Sequence, residues 1–316
     1  MTETFYLAHP VSLLQDRAQQ ALQVLRECRL CPRQCAVDRL GGETGVCQTG
    51  RQALVASYNL HFGEEAPLVG EQGSGTIFFA GCNLGCLFCQ NYDISHSTQG
   101  ALAVDAEQLA GLMLELQNQG AANINFVTPT HVLPQILEAL PLAVQAGLRL
   151  PLVYNSGGYD RPESLRLAQG IIQVYMPDLK FADPEPAQKY CQAWDYPKTA
   201  AQAVREMHRQ VGDLQLDSRG LAQQGLIVRH LLMPQGLAGT EKWLDFLARE
   251  ISPQTYLNLM DQYRPCGRAQ EFPELQGMIS ARELSAAKQM ATDCGLQRLD
   301  SRERPRLQDL LRHLHF

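Results

Sequence analysis

From residue 76 onward the chain keeps one rhythm, and that rhythm limits the fold more than any other feature. Short β-prone runs alternate with segments long enough for helices, the pattern of βα units on a parallel sheet. It predicts strands over 76–80, 122–127, 151–155, 171–177, 226–232 and 255–260. It predicts helices near 105–118, 131–146, 162–169, 184–209 (broken around Pro197), 240–250 and 280–293. Those six βα units in 316 residues suit one α/β barrel plus an extension. Ahead of them, Leu14, Ala18, Ala21, Leu22 and Leu25 follow helical spacing within 12–27. Ala53–Tyr58 reads as a short strand and 61–75 as a Gly-rich loop. The charged, leucine-bearing end, 300–316, reads as a last helix on the barrel exterior.

Polar residues recur just after the strands. Gly81-Cys82 to Asn91 follows the first and Thr128-Pro-Thr-His131 the second. Asn155-Ser-Gly-Gly158 follows the third, and the fourth ends in Met176-Pro-Asp178-Leu-Lys180. The fifth carries Arg229-His230, and Tyr263-Arg264 follows the sixth. Parallel α/β folds build sites at the carboxyl ends of their strands, so these loops are expected to share one site. Arg229 and His230 alternate across their strand, so one of them points into the barrel.

Cysteine usage narrows the chemistry. Of 10 cysteines, seven fall in two groups before residue 90. The chain is too long to need disulfide staples, and cytosolic clusters of this kind more often bind metal. Cys82, Cys86 and Cys89 have the spacing C-x3-C-x2-C. Three thiolates can hold three irons of a four-iron, four-sulfur (4Fe–4S) cluster, whose full ligation takes four. The next cysteine downstream is Cys191, so one iron would stay open to a small chelating molecule. A zinc site short of one ligand and free buried cysteines are the other readings. Cys28, Cys31, Cys35 and Cys47 form the other group, in a segment whose Pro32, Gly41, Gly42 and Gly45 favour a looped knuckle. Four thiolates suit a closed zinc site or an auxiliary iron–sulfur cluster, and redox or free thiols are a third reading. Cys191, Cys266 and Cys294 read as small buried hydrophobes, with Cys266 the one nearest a site mouth.

The triad, with Phe88 ahead of its last cysteine, resembles the radical S-adenosylmethionine (SAM) superfamily. That resemblance implies a partial (β/α)6 TIM-like barrel and an open iron that binds the amino and carboxylate groups of SAM. It further implies reductive cleavage of SAM to a 5′-deoxyadenosyl radical that takes hydrogen from a substrate. More narrowly, the stretch from 75 to about 295 resembles activating enzymes of glycyl-radical proteins, such as that of pyruvate formate-lyase. Cys89-Gln-Asn91 is similar to their Cys-x-Asn, and Met176-Pro-Asp178-Leu-Lys180 to their Met-x-Asp-Leu-Lys. Asn155-Ser156 stands where they carry Asp-Thr. By that resemblance Asp178, Asn155, Ser156 and the Met176 carbonyl would hold a monovalent cation, with one negative charge fewer than in the family. Thr128, Thr130 and His131 stand in place of the family's Gly-Gly-Glu and would meet the SAM ammonium. Gly157 and Gly158 would let backbone approach a ligand, and His230 would touch the adenosine; Asn91, Phe88 and Lys180 complete the expected pocket. The cysteine extension and the block His61–Glu65 resemble a less characterised branch of these activase homologues.

The expected layout is an N-terminal helix and cysteine-rich cap over 1–60, a barrel over 61–296 and a helical tail over 297–316. A protein or peptide substrate is expected, with a reductant such as flavodoxin or ferredoxin. The alternatives are a radical SAM enzyme acting on a small metabolite or RNA, and a metal-binding scaffold without catalysis. A net charge of −6 and pI near 5.8 disfavour nucleic acid. No apolar run reaches the roughly 18 residues of a membrane helix. The start shows no secretory pattern, so a cytoplasmic location is expected.

Overall fold

The computed structural model describes residues 4–300. The strands are β1 (Ala53–His61), β2 (Ser74–Phe79), β3 (Leu102–Val104), β4 (Ile124–Val127), β5 (Leu152–Ser156), β6 (Val174–Leu179), β7 (Gln215–Leu216), β8 (Ala222–Leu231) and β9 (Tyr256–Met260). The helices are α1 (Val11–Gln23), α2 (Ala66–Val69), α3 (Tyr92–His96), α4 (Ala106–Asn118), α5 (Leu133–Gln145), α6 (Pro162–Leu167), α7 (Pro184–Cys191), α8 (Tyr196–Val211), α9 (Thr240–Phe246) and α10 (Ala281–Asp293).

Six strands, β2-β4-β5-β6-β8-β9, pair in parallel in that order and correspond to the six runs expected from sequence. The fold is therefore mixed α/β around a central sheet, in keeping with a partial barrel. β1 pairs antiparallel with β2, and β3 with β1, which lengthens one edge. β1 runs through residue 60, the expected border of the cap, and continues to His61. The expected helix over 184–209 is two helices, because Gln192 takes a left-handed conformation and ends α7. The helix expected over 300–316 lies outside the described residues, save Asp300.

The sequence explains these elements. β5 is buried along its whole length and β4 and β6 nearly so, which is why they read as continuous apolar runs. Asp105 with Gln108 and Ser280 with Glu283 form reciprocal caps at the starts of α4 and α10. Proline opens α6, α7 and α8, where a missing N–H costs nothing. On one face of the sheet, Val153, Val174, Met176 and Ile227 pack with Leu68 and Leu214. The other face packs against the helices, Leu140, Val204 and Leu244 among the contacts. Each such fully buried aliphatic side chain contributes roughly 1.5–3 kcal/mol.

Candidate functional site

The carboxyl ends of all six parallel strands line one cavity of about 410 Å³. Phe78, Val127, Asn155, Asp178, Arg229 and Met260 represent them in order. A flat sheet would spread these ends apart, so their convergence reflects its curvature.

The loop after β2 brings Cys82, Cys86 and Cys89 to this cavity. Its shape depends on glycine. Gly81 has φ +80°, and a Cβ there would stand 2.2 Å from the Cys47 carbonyl oxygen. The Leu84 N–H points at the Cys82 sulfur, 3.4 Å away. Burial pushes the Cys82 thiol up to about 12. The Cys86 thiol is raised by its contact with the Cys191 thiol, sulfur to sulfur 3.3 Å, and by burial. Such thiols are neutral at pH 7, and bound metal would supply the positive charge that favours the thiolate. Among the described residues, no three Cys, His, Asp or Glu side chains converge on one ion position. The donor set, three soft thiols on one loop with no fourth cysteine beside them in sequence, is one that fits a 4Fe–4S cluster with one iron left without a protein ligand. Phe88 lies edge-on to Phe181 at 5.6 Å and beside Tyr263 at 6.2 Å, forming an apolar wall.

Across the cavity stands a half-buried charge network. Asp178 accepts from Lys180 Nζ and from Arg229 Nε, each at 2.7 Å. Arg229 also donates to Asn155 Oδ1 at 2.5 Å and lies 3.6 Å from Glu64. Burial alone would raise the Asp178 carboxyl, but Arg229 and Lys180 outweigh it and hold the group below its usual range. Burial likewise opposes the charge of Lys180 and Arg229; Asp178 together with Cys86 and Tyr196 for the lysine, and with Glu65 and Glu64 for the arginine, outweighs it, so both stay protonated. Asp178 and Lys180 are thus paired within a half-buried network that also includes Arg229. The network uses the oxygens that the expected monovalent cation would need: both on Asp178, and the amide oxygen of Asn155.

Other expected residues are divided by the fold. Asn91, Thr128, Ser156 and Gly157 line the cavity. Thr130 does not; its hydroxyl donates to buried Asp160, as do those of Tyr154 and Ser156. His131 turns away, its Nε2 3.0 Å from the Ala80 carbonyl, and helps line the pocket of Cys28, Cys31, Cys35 and Cys47. Gly158 serves packing: a Cβ would stand 2.3 Å from the Asp178 carbonyl oxygen. On β8 it is Arg229 that faces the cavity. His230 faces the other way, between the Leu179 carbonyl at 2.8 Å and Thr240 Oγ1 at 3.0 Å. Thr128 has φ +61°, a strained conformation for a β-branched residue.

Sequence reasoning missed Glu64, Asp160 and Cys191 as neighbours of the site. Asp160 carried a faint signal, an acidic residue four positions after Ser156; Cys191 carried none.

Residues 76–216 match the family model described as the Radical SAM superfamily. An uncharacterized protein of Methanocaldococcus jannaschii is 29% identical over 289 residues, covering 89% of this chain and 78% of that protein. A solved structure of a radical SAM methyltransferase from Sphaerobacter thermophilus aligns with 91% of this chain and 92% of its own, at 13% identity and a TM-score of 0.49. Among the described residues no helix is long and apolar enough to cross a membrane.

Proposed function

From the match of residues 76–216 to the Radical SAM superfamily model, we propose that this protein is an enzyme that cleaves SAM reductively and takes hydrogen from a protein or peptide, in the manner of a glycyl-radical activase. The observation that carries the enzyme reading is the placement of Cys82, Cys86 and Cys89 at the one cavity that all six strand ends share. When bound, a 4Fe–4S cluster and SAM supply a one-electron cleavage of the sulfur–C5′ bond and a 5′-deoxyadenosyl radical.

The chain's own residues have separable tasks. The triad cysteines would ligate three irons. Lys180 and Arg229 offer positive charge to the SAM carboxylate, and Asp178 orients both. Thr128, Asn155 and the Gly157 backbone supply polar contacts at the adjoining strand ends. Phe78, Phe88, Leu231 and Met260 give the cavity apolar walls that exclude water. A reductant such as flavodoxin or ferredoxin would deliver the electron.

The test is anaerobic reconstitution with iron and sulfide, reduction by dithionite, and assay of 5′-deoxyadenosine, with Cys86→Ala as the control. Product from the wild type alone is expected. A full, reducible cluster that leaves SAM intact, with and without cell extract, overturns the reading. The activase half has its own readout, a glycyl-radical EPR signal in a protein substrate. Deoxyadenosine without that signal in any extract protein would remove this half and leave an enzyme for another substrate.

A further inference from the structure

Cys28, Cys31, Cys35 and Cys47 take no part in the cavity just described, yet the fold gathers all four around a second, enclosed pocket. Three are buried and Cys35 is half-buried. None is in a disulfide. The backbone holds them in a knuckle: Cys28 N–H donates to the Val37 carbonyl at 2.9 Å, and Ala36 N–H donates back to the Cys28 carbonyl at 2.9 Å. Three non-glycine residues beside these cysteines, Gln34, Ala36 and Gln48, have positive φ of 43°, 56° and 57°. Each such residue costs of order 1–3 kcal/mol and persists only where its surroundings enforce it. Gly45 leaves room for the Cys35 sulfur, which a Cβ would meet at 2.7 Å.

A second observation concerns charge. Arg39 is 1% exposed. Its guanidinium donates to the carbonyls of Gly50 and His131 and lies 3.8 Å from the Cys28 sulfur. Among the described residues it has no carboxylate partner. A buried cation left uncompensated is strongly unfavourable. Four thiolates around a zinc ion, or around an oxidised 4Fe–4S core, carry a net negative charge and would compensate it.

We propose that Cys28, Cys31, Cys35 and Cys47 form a four-thiolate centre for a thiophilic metal, zinc or iron–sulfur, separate from the triad. Its consequence follows from what hangs on the knuckle. Arg33, between Cys31 and Cys35, donates to the carbonyls of Asn83 at 2.9 Å, Leu84 at 2.9 Å and Cys191 at 2.8 Å. The Cys47 carbonyl is the atom packed against Gly81. The centre therefore braces the triad loop from behind. The pocket as it stands holds about 10 Å³. Both cores take four thiolates, so the test separates them.

The triple variant Cys82→Ala/Cys86→Ala/Cys89→Ala removes the other thiol site and leaves this one intact. Loaded anaerobically, it should retain about one zinc per chain or about four irons with matching sulfide. Elemental and sulfide analysis distinguish the two cores, and X-ray absorption should show a shell made mainly of sulfur in either case. Arg39→Met should weaken retention against a chelator by roughly 10–100-fold, with Arg39→Lys restoring most of it. Uptake of neither metal by a folded triple variant, checked by circular dichroism, overturns the proposal. So does a thiol titration showing these four cysteines paired as disulfides. The result does not depend on whether SAM is cleaved.

Discussion

The two thiol sites meet at the segment Ala80–Cys82, and they differ in what closes them. His131 reaches the Ala80 carbonyl and the Cys47 carbonyl packs on Gly81, so the four-cysteine pocket leans directly on the triad loop. That pocket is about 10 Å³ and is lined on its other sides by Arg33, Arg39, His131 and apolar side chains. The triad opens instead on about 410 Å³ lined by Asp178, Lys180 and Arg229. Four ligands and no room suit a structural centre, whereas three ligands with room and charge suit a reactive one. One site would hold the loop still so that the other can keep an iron open.

The largest effects should come from breaking the two sites in turn. Cys86→Ala is expected to reduce deoxyadenosine to background, because it removes a ligand at the reacting centre. Cys47→Ala is expected to slow production without abolishing it, provided the protein stays folded. Equal loss in two folded variants would show that the sites are not divided into brace and reactor.

Next is the charge network that marks the triad side. Asp178→Asn leaves the half-buried Lys180 and Arg229 with less compensation, and a loss between that of an exposed pair and that of a fully buried one, about 2–3 kcal/mol, is expected. Urea unfolding should show that loss, and equilibrium dialysis should show weaker SAM retention. A loss below about 1 kcal/mol, the range of exposed pairs, would mean that water screens the network.

The brace predicts a smaller effect. Arg33→Ala removes the bonds to the Asn83, Leu84 and Cys191 carbonyls and a guanidinium 5.3 Å over the Tyr159 ring. A loss of about 2 kcal/mol is expected, with slower iron uptake by the triad and unchanged metal at the four-cysteine site. Faster loss of both metals together would mean that the two loops move as one unit.

What the sequence revealed follows from period and position. All six parallel strands were legible because a strand buried on both faces is a continuous apolar run between turn signals. β3, β7 and α2, with 3, 2 and 4 residues, are too short to carry a period, so they were missed. The triad was legible because its three cysteines are local in sequence. The pocket opposite was only partly so, because each strand contributes only one or two residues near its end, and which of them face inward is not written in any local motif. The alternation of Arg229 and His230 was plain, but only the pairing of Arg229 with Asp178 shows which one turns inward. His131 illustrates the limit: it follows a cavity strand but turns to the other thiol site, a direction that no local pattern encodes.

His230, outside both sites, provides a pH control. Burial pushes its imidazole down to about 4, while the Leu179 carbonyl acts in the opposite sense. Above pH 6.5 the ring is neutral in both the folded and unfolded chain, and its burial carries no titration penalty. As pH falls from 6.5 towards 4, the unfolded chain takes up the proton first and stability is lost, by about 2 kcal/mol at pH 5. His230→Gln should be less stable at pH 7.5 yet lose less between pH 7.5 and 5. An unchanged slope would show that the ring stays hydrated in the native protein.

The smallest effect is expected at Thr128. Its φ of +61° costs roughly 1–2 kcal/mol in a non-glycine residue. Glycine would remove that strain but adds about 0.5–1 kcal/mol of unfolded-state entropy. Thr128→Gly should therefore shift stability by less than about 1 kcal/mol. Its side chain lines the triad cavity, so SAM retention should fall several-fold while metal at the four-cysteine site stays unchanged. Unaltered SAM retention would make the strained residue a turn device and nothing more. A fall confined to SAM would place stored strain on the reactive side of the comparison.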